Sequence, residues 1–300
     1  MIDFTNCPKN YKYYSGADRK LSINYNNKNY ILKFPNNAKD NKEISYSNSV
    51  FSEYIGCHIF NMLNLQAQET ILGTYKYENG TVKDVVACLD FNTDDYKLVE
   101  FSNFQNSYVE NSTSNSKVNN DLEEIIETID KHPDLKNRQI IKEKFWYMFI
   151  IDTFIGNFDR HSGNYGLLVN EQKNNIIFAP IYDCGSCLYP QLADEQLNDI
   201  INNEEEINKR IYVFPNSALK IDDKKINYYD YISSLKNKDC NKALIKFYNN
   251  INLEDINIFI DGIEQISEIR KRFYKLILKE RYEKIIKYSY DLLNKPKDQF

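Results

Sequence analysis

The chain has 300 residues with 38 basic and 43 acidic side chains, a net charge of -5 and a pI near 5.4. That length allows one or two domains around a sizeable core, and 42% hydrophobic content excludes wholesale disorder. A net acidic chain is a poor candidate for a nucleic-acid coat, since a phosphate backbone wants clustered Lys and Arg, and no run of ~18 apolar residues is present to span a membrane, so neither partner is expected.

The predicted elements begin with strands. Leu21–Tyr25 and Asn29–Phe34 flank a turn, Asn26-Asn27-Lys28, and read as a hairpin. Asn48–Leu63 then carries Val50, Ile55, Ile59 and Leu63 at helical spacing. Two more strand-like runs follow, Thr70–Tyr77 and Val82–Phe91, joined by Glu78-Asn79-Gly80. Ser107–Asn120 is polar and rich in Ser and Asn, the composition of a loop. Asp121–Lys131 and Lys142–Ile155 are amphipathic helices, the second bearing Phe145, Trp146, Phe149, Ile150 and Phe154. A hairpin, Tyr165–Val169 with Ile176–Ala179, turns around Glu171–Asn175. The last third is mostly helical, with a long charged helix over Ile266–Leu293, and there is no internal repeat. A β-rich piece followed by an α-rich piece with one inserted hairpin is an α+β chain of two lobes, and a cleft between lobes is the default place for a ligand.

The stretch densest in chemistry runs from Ile155 to Asn164 (Gly156, Asn157, Phe158, Asp159, Arg160, His161, Ser162, Gly163) and resumes at Ile181-Tyr182-Asp183-Cys184-Gly185. An apolar helix ends in a polar loop, a hairpin follows, and a second Asp stands before a small residue and Gly. Phosphoryl transfer needs these parts: one carboxylate to orient or deprotonate the attacking hydroxyl, and an amide oxygen with a second carboxylate to hold Mg²⁺. Asp159 and Asn164 keep the five-residue spacing of a kinase catalytic loop, and Asp183 stands where a metal-binding Asp would. Alone, Asp-x-x-x-x-Asn is a common polar turn at a helix end. Asp-Arg-His, the hairpin and Tyr-Asp-Cys-Gly in that order lift it above a turn.

Asn-x-Asp-Arg-His-x-x-Asn, a hairpin and then Pro-x-Tyr-Asp resembles the HipA-like bacterial serine/threonine kinases. Upstream, Ser15-Gly16-Ala17-Asp18-Arg19-Lys20 resembles their phosphate loop, with Asp18 where glutamine is usual. Tyr30–Pro35 resembles their strand bearing the nucleotide lysine, here Lys33. The resemblance spans roughly residues 14–235 and points to the compact members, which lack an additional N-terminal subdomain. It implies a bilobal protein-kinase-like fold, with a small β-rich lobe over 1–91 and a mainly helical lobe over 92–300. It also implies ATP and Mg²⁺ as cofactors and a protein substrate with a Ser or Thr acceptor.

Within that frame each residue has a role. Backbone N–H groups of Ser15, Gly16, Ala17 and Asp18 would cradle phosphate, Gly16 allowing close approach. Lys33 would reach the α- and β-phosphates, and Glu53, the one acid on the Asn48–Leu63 helix, would orient it. The resemblance places Cys88 and Leu89 at the adenine and Asp90 at the ribose. Asp159 would position the substrate hydroxyl as the catalytic residue, Asn164 and Asp183 would hold the metal, and Arg160 would neutralise nearby charge. A histidine can serve as an acid or a base, yet for His161 an architectural part in the loop suits a positioning mechanism better. Cys184 and Cys187 form a Cys-x-x-Cys without a second ligand pair, which argues against zinc or redox work. His58 and His132 read as structural. Ser15 also occupies the place of an autophosphorylation site, where a phosphate would compete with the nucleotide for the same loop.

Three other classes compete. The loop also fits a phosphoinositide-type lipid kinase, a small-molecule kinase or a nucleotide-binding pseudokinase. Cys184–Asn208 holds six acids (Asp194, Glu195, Asp199, Glu204, Glu205, Glu206) and no Lys or Arg, which repels an anionic headgroup and favours a basic peptide. Lys33, Asp159, Asn164 and Asp183 together argue against a pseudokinase. Nothing in the sequence shows an antitoxin partner. Met1–Tyr14 lacks an apolar h-region, so no secretory leader of the usual kind is expected, and six Cys do not make a disulfide framework. A cytoplasmic location is expected, with leaderless export as the other route.

Overall fold

The computed structural model describes residues 1–10, 20–37, 45–46, 48–111 and 120–295. Its first part holds strands β1 (Ile2–Asp3), β2 (Lys9–Asn10), β3 (Lys20–Tyr25), β4 (Lys28–Lys33), the short pair β5 (Asn36–Asn37) and β6 (Ser45–Tyr46), helix α1 (Ser49–Met62), β7 (Thr70–Lys76) and β8 (Val82–Leu89). Six strands form one sheet in the order β1-β7-β8-β4-β3-β2, with β1 parallel to β7 and the other pairs antiparallel. The β3–β4 hairpin turns on Asn26 and Asn27 at φ 50° and 61°, the left-handed pair that a two-residue turn needs and that Asn tolerates.

Strand alternation decides what each face does. Tyr30, Leu32, Val85 and Ala87 point into a small core with Phe4, Ile23, Phe34 and Tyr75. Val86 and Cys88 point the other way, into the main core shared with α1, and Ile31 packs there too. Lys33, two residues past Ile31, is therefore on the α1 side. β4 is an interior strand between β3 and β8, so Lys33 sits well inside the sheet.

The second part runs through β9 (Lys97–Glu100), α2 (Phe101–Asn111), α3 (Leu122–Lys131), α4 (Arg138–Ile155), β10 (Gly166–Asn170), β11 (Asn175–Phe178), α5 (Asp194–Ile201), α6 (Glu204–Asn208) and a π-helical turn (Lys209–Val213). It continues through β12 (Asn216–Ile221), β13 (Lys224–Asn227), α7 (Tyr228–Ser233), α8 (Lys238–Asn250), α9 (Leu253–Asp261), α10 (Glu268–Arg281), a π turn (Tyr282–Lys287) and α11 (Tyr288–Leu293). Asn supplies several helix starts: Asn203, Asn237 and Asn252 each accept two backbone N–H bonds at the heads of α6, α8 and α9. Every residue of α4 from Phe145 to Ile155 is buried. A helix apolar on all faces belongs at the centre of a lobe, and the others pack around it.

The two-lobed α+β order matches the sequence expectation, with three differences. Ser107–Asn111, read as loop, continues α2. β9, unpredicted, pairs with β10 to make the inserted hairpin a three-stranded sheet. Gly166 permits it, because a Cβ there would lie 2.4 Å from the Val99 carbonyl. The β12–β13 hairpin was also unpredicted. Among the described residues no helix is long and apolar enough to cross a membrane.

Candidate functional site

α4 stops at Gly156, whose φ of 64° gives the left-handed cap that ends a helix. One turn before that cap lies Asp152, a carboxylate 1% exposed inside the apolar helix. It accepts the Nε of Arg160 at 2.9 Å and the Nδ2 of Asn157 at 2.9 Å. Arg160 is 2% exposed and spends its remaining donors on the Asn164 carbonyl at 2.6 Å, the Tyr182 carbonyl and the Cys184 Sγ at 3.3 Å. Burial alone would push this guanidinium down; the Asp152 carboxylate holds it charged, well above its ordinary value. Arg160 is thus a clamp joining α4, the loop and the Tyr182–Cys184 segment. That is more specific than the charge neutralisation expected of it.

The loop folds on itself. Asn164 donates its side-chain Nδ2 to the Asp159 carbonyl at 2.7 Å. The Nδ1 of His161 accepts the Gly163 N–H at 3.0 Å, the architectural role expected of it. Among the described residues none donates a hydrogen bond to the Asp159 carboxylate. Burial pushes that carboxyl above its ordinary value, His161 and Arg160 pull it down, Asp183 pushes it up and Lys225 pulls it down. A carboxylate held by no donor is open to a hydroxyl.

Across the cleft, Lys33 joins both acids named from the sequence. Its Nζ lies 3.0 Å from Glu53 Oε1 and bonds the Asp183 carboxylate. Burial opposes the ammonium, yet Asp183 and Glu53 hold Lys33 well above its ordinary value. Burial likewise opposes the Asp183 carboxylate, and Lys33 keeps it below the usual range. Asp183 stands at φ 54°, a left-handed position that costs a non-glycine residue about 1–2 kcal/mol. Its neighbours enforce it: Ile181 is hydrogen-bonded to the backbone of Gln66 and Gln68, and Tyr182 and Cys184 to Arg160.

α1 presses directly on this segment. A Cβ on Gly56 would fall 2.6 Å from Cys184 Cβ, and one on Gly185 would fall 3.3 Å from Glu53 Oε2. Cys187 Sγ donates to the Ser52 carbonyl at 3.3 Å. Cys184 and Cys187 are buried free thiols, with the Cys187 thiol pushed well up by burial, so the Cys-x-x-Cys is packing rather than redox chemistry. His58 and His132 stack on Phe259 and Phe104, as structural histidines.

Asp90 lines the cleft with Lys33, Gln68, Glu100, Tyr182 and Asp183. Its carboxylate accepts the Asn92 N–H and Nδ2. The Leu89 N–H is bonded to the Glu69 carbonyl, the Leu89 carbonyl to Gln68, and Cys88 is paired on both sides in the sheet. In this arrangement those two residues offer no free backbone donor to a base. Ser15, Gly16, Ala17 and Asp18 lie outside the described residues.

Asn164 Oδ1 and the Asp183 carboxylate are the oxygens that the sequence assigns to a hard cation. Among the described residues no group of three or more His, Cys, Asp or Glu is placed to hold a metal. Mg²⁺ ordinarily takes few protein ligands and completes its shell from phosphate and water. Asp152 and Glu100 were not singled out from the sequence. Asp152 did leave a signal there, an acid within an otherwise apolar helical run. The acidic Asp194–Glu206 segment is partly neutralised by its own neighbours. Asp194 is paired with Arg270, Glu205 with Lys209, and Glu206 with both Lys209 and Arg210.

Comparison with known proteins bears on the family and the fold. The model of the HipA-like C-terminal domain family matches residues 13–243. The serine/threonine-protein kinase CtkA of Helicobacter pylori is 46% identical over 288 residues, covering 95% of this chain and 86% of that protein. The crystal structure of an H. pylori proinflammatory kinase CtkA superposes with a TM-score of 0.89 at 44% identity, covering 99% of each chain. HipA of Shewanella oneidensis, solved with HipB and operator DNA, shares the fold alone: TM-score 0.55 at 15% identity, over 95% of this chain and 67% of that one.

Proposed function

This chain belongs to the HipA-like C-terminal domain family, and from that premise we propose that it is an ATP- and Mg²⁺-dependent serine/threonine protein kinase. The observation that carries the reading is the ion-paired chain Glu53–Lys33–Asp183, next to a loop that holds Asp159 and Asn164. We take residues 1–91 as the small lobe and 92–300 as the large one. β8 ends the sheet at Leu89, and β9 already pairs with β10 of the helical part.

The residues divide the work. Lys33, steadied by Glu53, offers a fixed positive charge to the α- and β-phosphates. Asn164 and Asp183 offer oxygens to the metal, with Arg160 fixing both segments from behind. When bound, Mg²⁺ neutralises charge on the phosphates. Asp159 accepts the hydrogen bond of a Ser or Thr hydroxyl and orients its oxygen for attack. Asp90 faces the nucleotide's ribose end of the cleft. Ser15 is an autophosphorylation site whose phosphate would repel the nucleotide. Six free thiols suit a reducing compartment, so we place the protein in the cytoplasm.

The test is transfer of labelled γ-phosphate from ATP to the protein itself and to Ser/Thr peptides. Asp159→Asn should lower transfer by about 10²–10⁴-fold, the range for losing a positioned acid–base group, while nucleotide binding persists. Chelating Mg²⁺ should abolish it. Full transfer by Asp159→Asn would overturn the assignment.

A further inference from the structure

The unpredicted hairpin β12–β13 is fastened to the catalytic loop from two sides. The Lys220 N–H donates to the Asn120 carbonyl at 2.8 Å, and the Asn120 side chain accepts the Ser162 N–H at 2.8 Å. Just past β13, Tyr228 donates its hydroxyl to the Asn157 carbonyl. The stretch Asn157–Ser162, with Asp159 in its middle, is therefore held against this hairpin.

The hairpin carries an unusual pair. Its two-residue turn, Asp222 and Asp223 at φ 50° and 62°, sets a register in which Lys220 stands opposite Lys225. Directly opposed residues share a face, and like charges in that position destabilise a hairpin. Among the described residues none forms an ion pair with Lys220, Lys224 or Lys225, and the two turn aspartates do not reach them. The charge of Lys225 is nevertheless felt at Asp159. Two lysines held together at a cost, with no ion-pair partner among the described residues and with Lys225 near enough to act on Asp159, make a site for an anion. Lys33 already serves the nucleotide from the small-lobe sheet.

We propose that Lys220 and Lys225 form a recognition site for an anionic side chain, carboxylate or phosphate, flanking the acceptor hydroxyl of the protein substrate. This rests on the kinase reading and deepens it. It also reverses the sign of the preference expected from the Asp194–Glu206 composition, whose charge is partly consumed internally.

The experiment compares Ser/Thr peptides identical except for flanking Asp, phosphoserine, Ala or Lys. Wild-type protein should favour the Asp and phosphoserine peptides over the Lys peptide by about five- to tenfold in kcat/KM, carried by peptide KM. The Lys220→Glu/Lys225→Glu protein, checked for an unchanged melting temperature, should favour the Lys peptide instead and keep wild-type KM for ATP. Equal use of all peptides by wild-type protein, or an unaltered ratio in the double variant, would overturn the site. So would a uniform loss across peptides with a raised KM for ATP, because the lysines would then serve the nucleotide. Absence of transfer to any acceptor would sink the kinase reading instead. Peptide binding to the same two proteins, read by fluorescence polarisation, would still decide the anion preference.

Discussion

Two cation–carboxylate pairs grip the same short segment from opposite sides. Behind Tyr182–Cys184, Arg160 and Asp152 are sealed at 2% and 1% side-chain exposure. In front, Lys33 and Asp183 are open at 15% and 32%. The pairs look alike as ion pairs and differ in everything else. Arg160 makes bonds to two side chains and two carbonyls that hold α4, the loop and the segment as one piece. Lys33 makes bonds that arriving phosphates and a cation would replace. The sealed pair contributes rigidity and the open pair contributes exchangeable charge. Along the segment the Tyr182 carbonyl and the Cys184 thiol meet the clamp, while the Asp183 carboxylate and the Tyr182 ring line the cleft.

The largest expected effect comes from breaking the sealed pair. Arg160→Ala leaves Asp152 buried without its cation and frees two carbonyls. A loss of about 3–5 kcal/mol is the usual cost of unpairing a buried charge. Chemical denaturation of the purified protein would measure it. A loss below about 1 kcal/mol would mean the clamp is dispensable, and the comparison fails. Lys33→Met should behave in the opposite way. Transfer should fall at least about 10²-fold, since a fixed charge at developing phosphate charge is worth that much. Stability should drop only about 1–3 kcal/mol, the cost of leaving Glu53 without its partner. Stopped-time transfer assays beside the same denaturation curves separate the two variants.

Gly56 sharpens the contrast, because it sets how close α1 comes to both pairs. With only 2.6 Å to Cys184 Cβ, Gly56→Ala must displace either the helix or the segment. Overpacking of this kind costs about 1–3 kcal/mol. Glu53 lies one turn away on the same helix, so transfer should fall further than stability alone explains. Wild-type activity in Gly56→Ala would show that Lys33 and Asp183 tolerate a shifted α1.

Much of this was readable before any coordinates. The hairpin reading put Lys33 on a strand, helical spacing found α1 with its lone acid, and local spacing found the loop from Asp159 to Asn164. What escaped was non-local or carried by unusual residues. β9 is four residues long and depends on Gly166 to let β10 approach. The β12–β13 turn is Asp-Asp, where a glycine would have announced it. Arg160 looked like loose charge because its acid, Asp152, is eight residues back inside an apolar helix. Cys88 and Leu89 were placed by resemblance at the adenine, and the strand pairing that engages their donors is invisible in one chain's sequence. The acid count after Asp183 was likewise incomplete. Composition does not reveal that Arg270, Lys209 and Arg210 take up three of those charges.

The smallest effect concerns Asp159 itself, and its sign can be worked out. Burial raises its folded carboxyl above the unfolded value. Between those two values the unfolded chain gives up its proton first, so stability falls as pH rises through that window and stays reduced above it. Asp183 runs the other way. Its folded value is lowered, so its contribution is present above the unfolded value near 3.9 and is lost as pH falls below it. Asp159→Asn removes only the first of these. The variant should therefore be slightly more stable than wild type at pH 7, by about 0.5 kcal/mol or less, as befits a partly exposed side chain. The advantage should vanish at the acid end of the window. Denaturation midpoints of both proteins from pH 4 to 8 would show it. An Asn variant less stable than wild type at pH 7 would mean that the carboxylate has a native partner worth more than its burial costs. Asp159 would then resemble the sealed Asp152 rather than the open Asp183, and it could not be waiting for a hydroxyl.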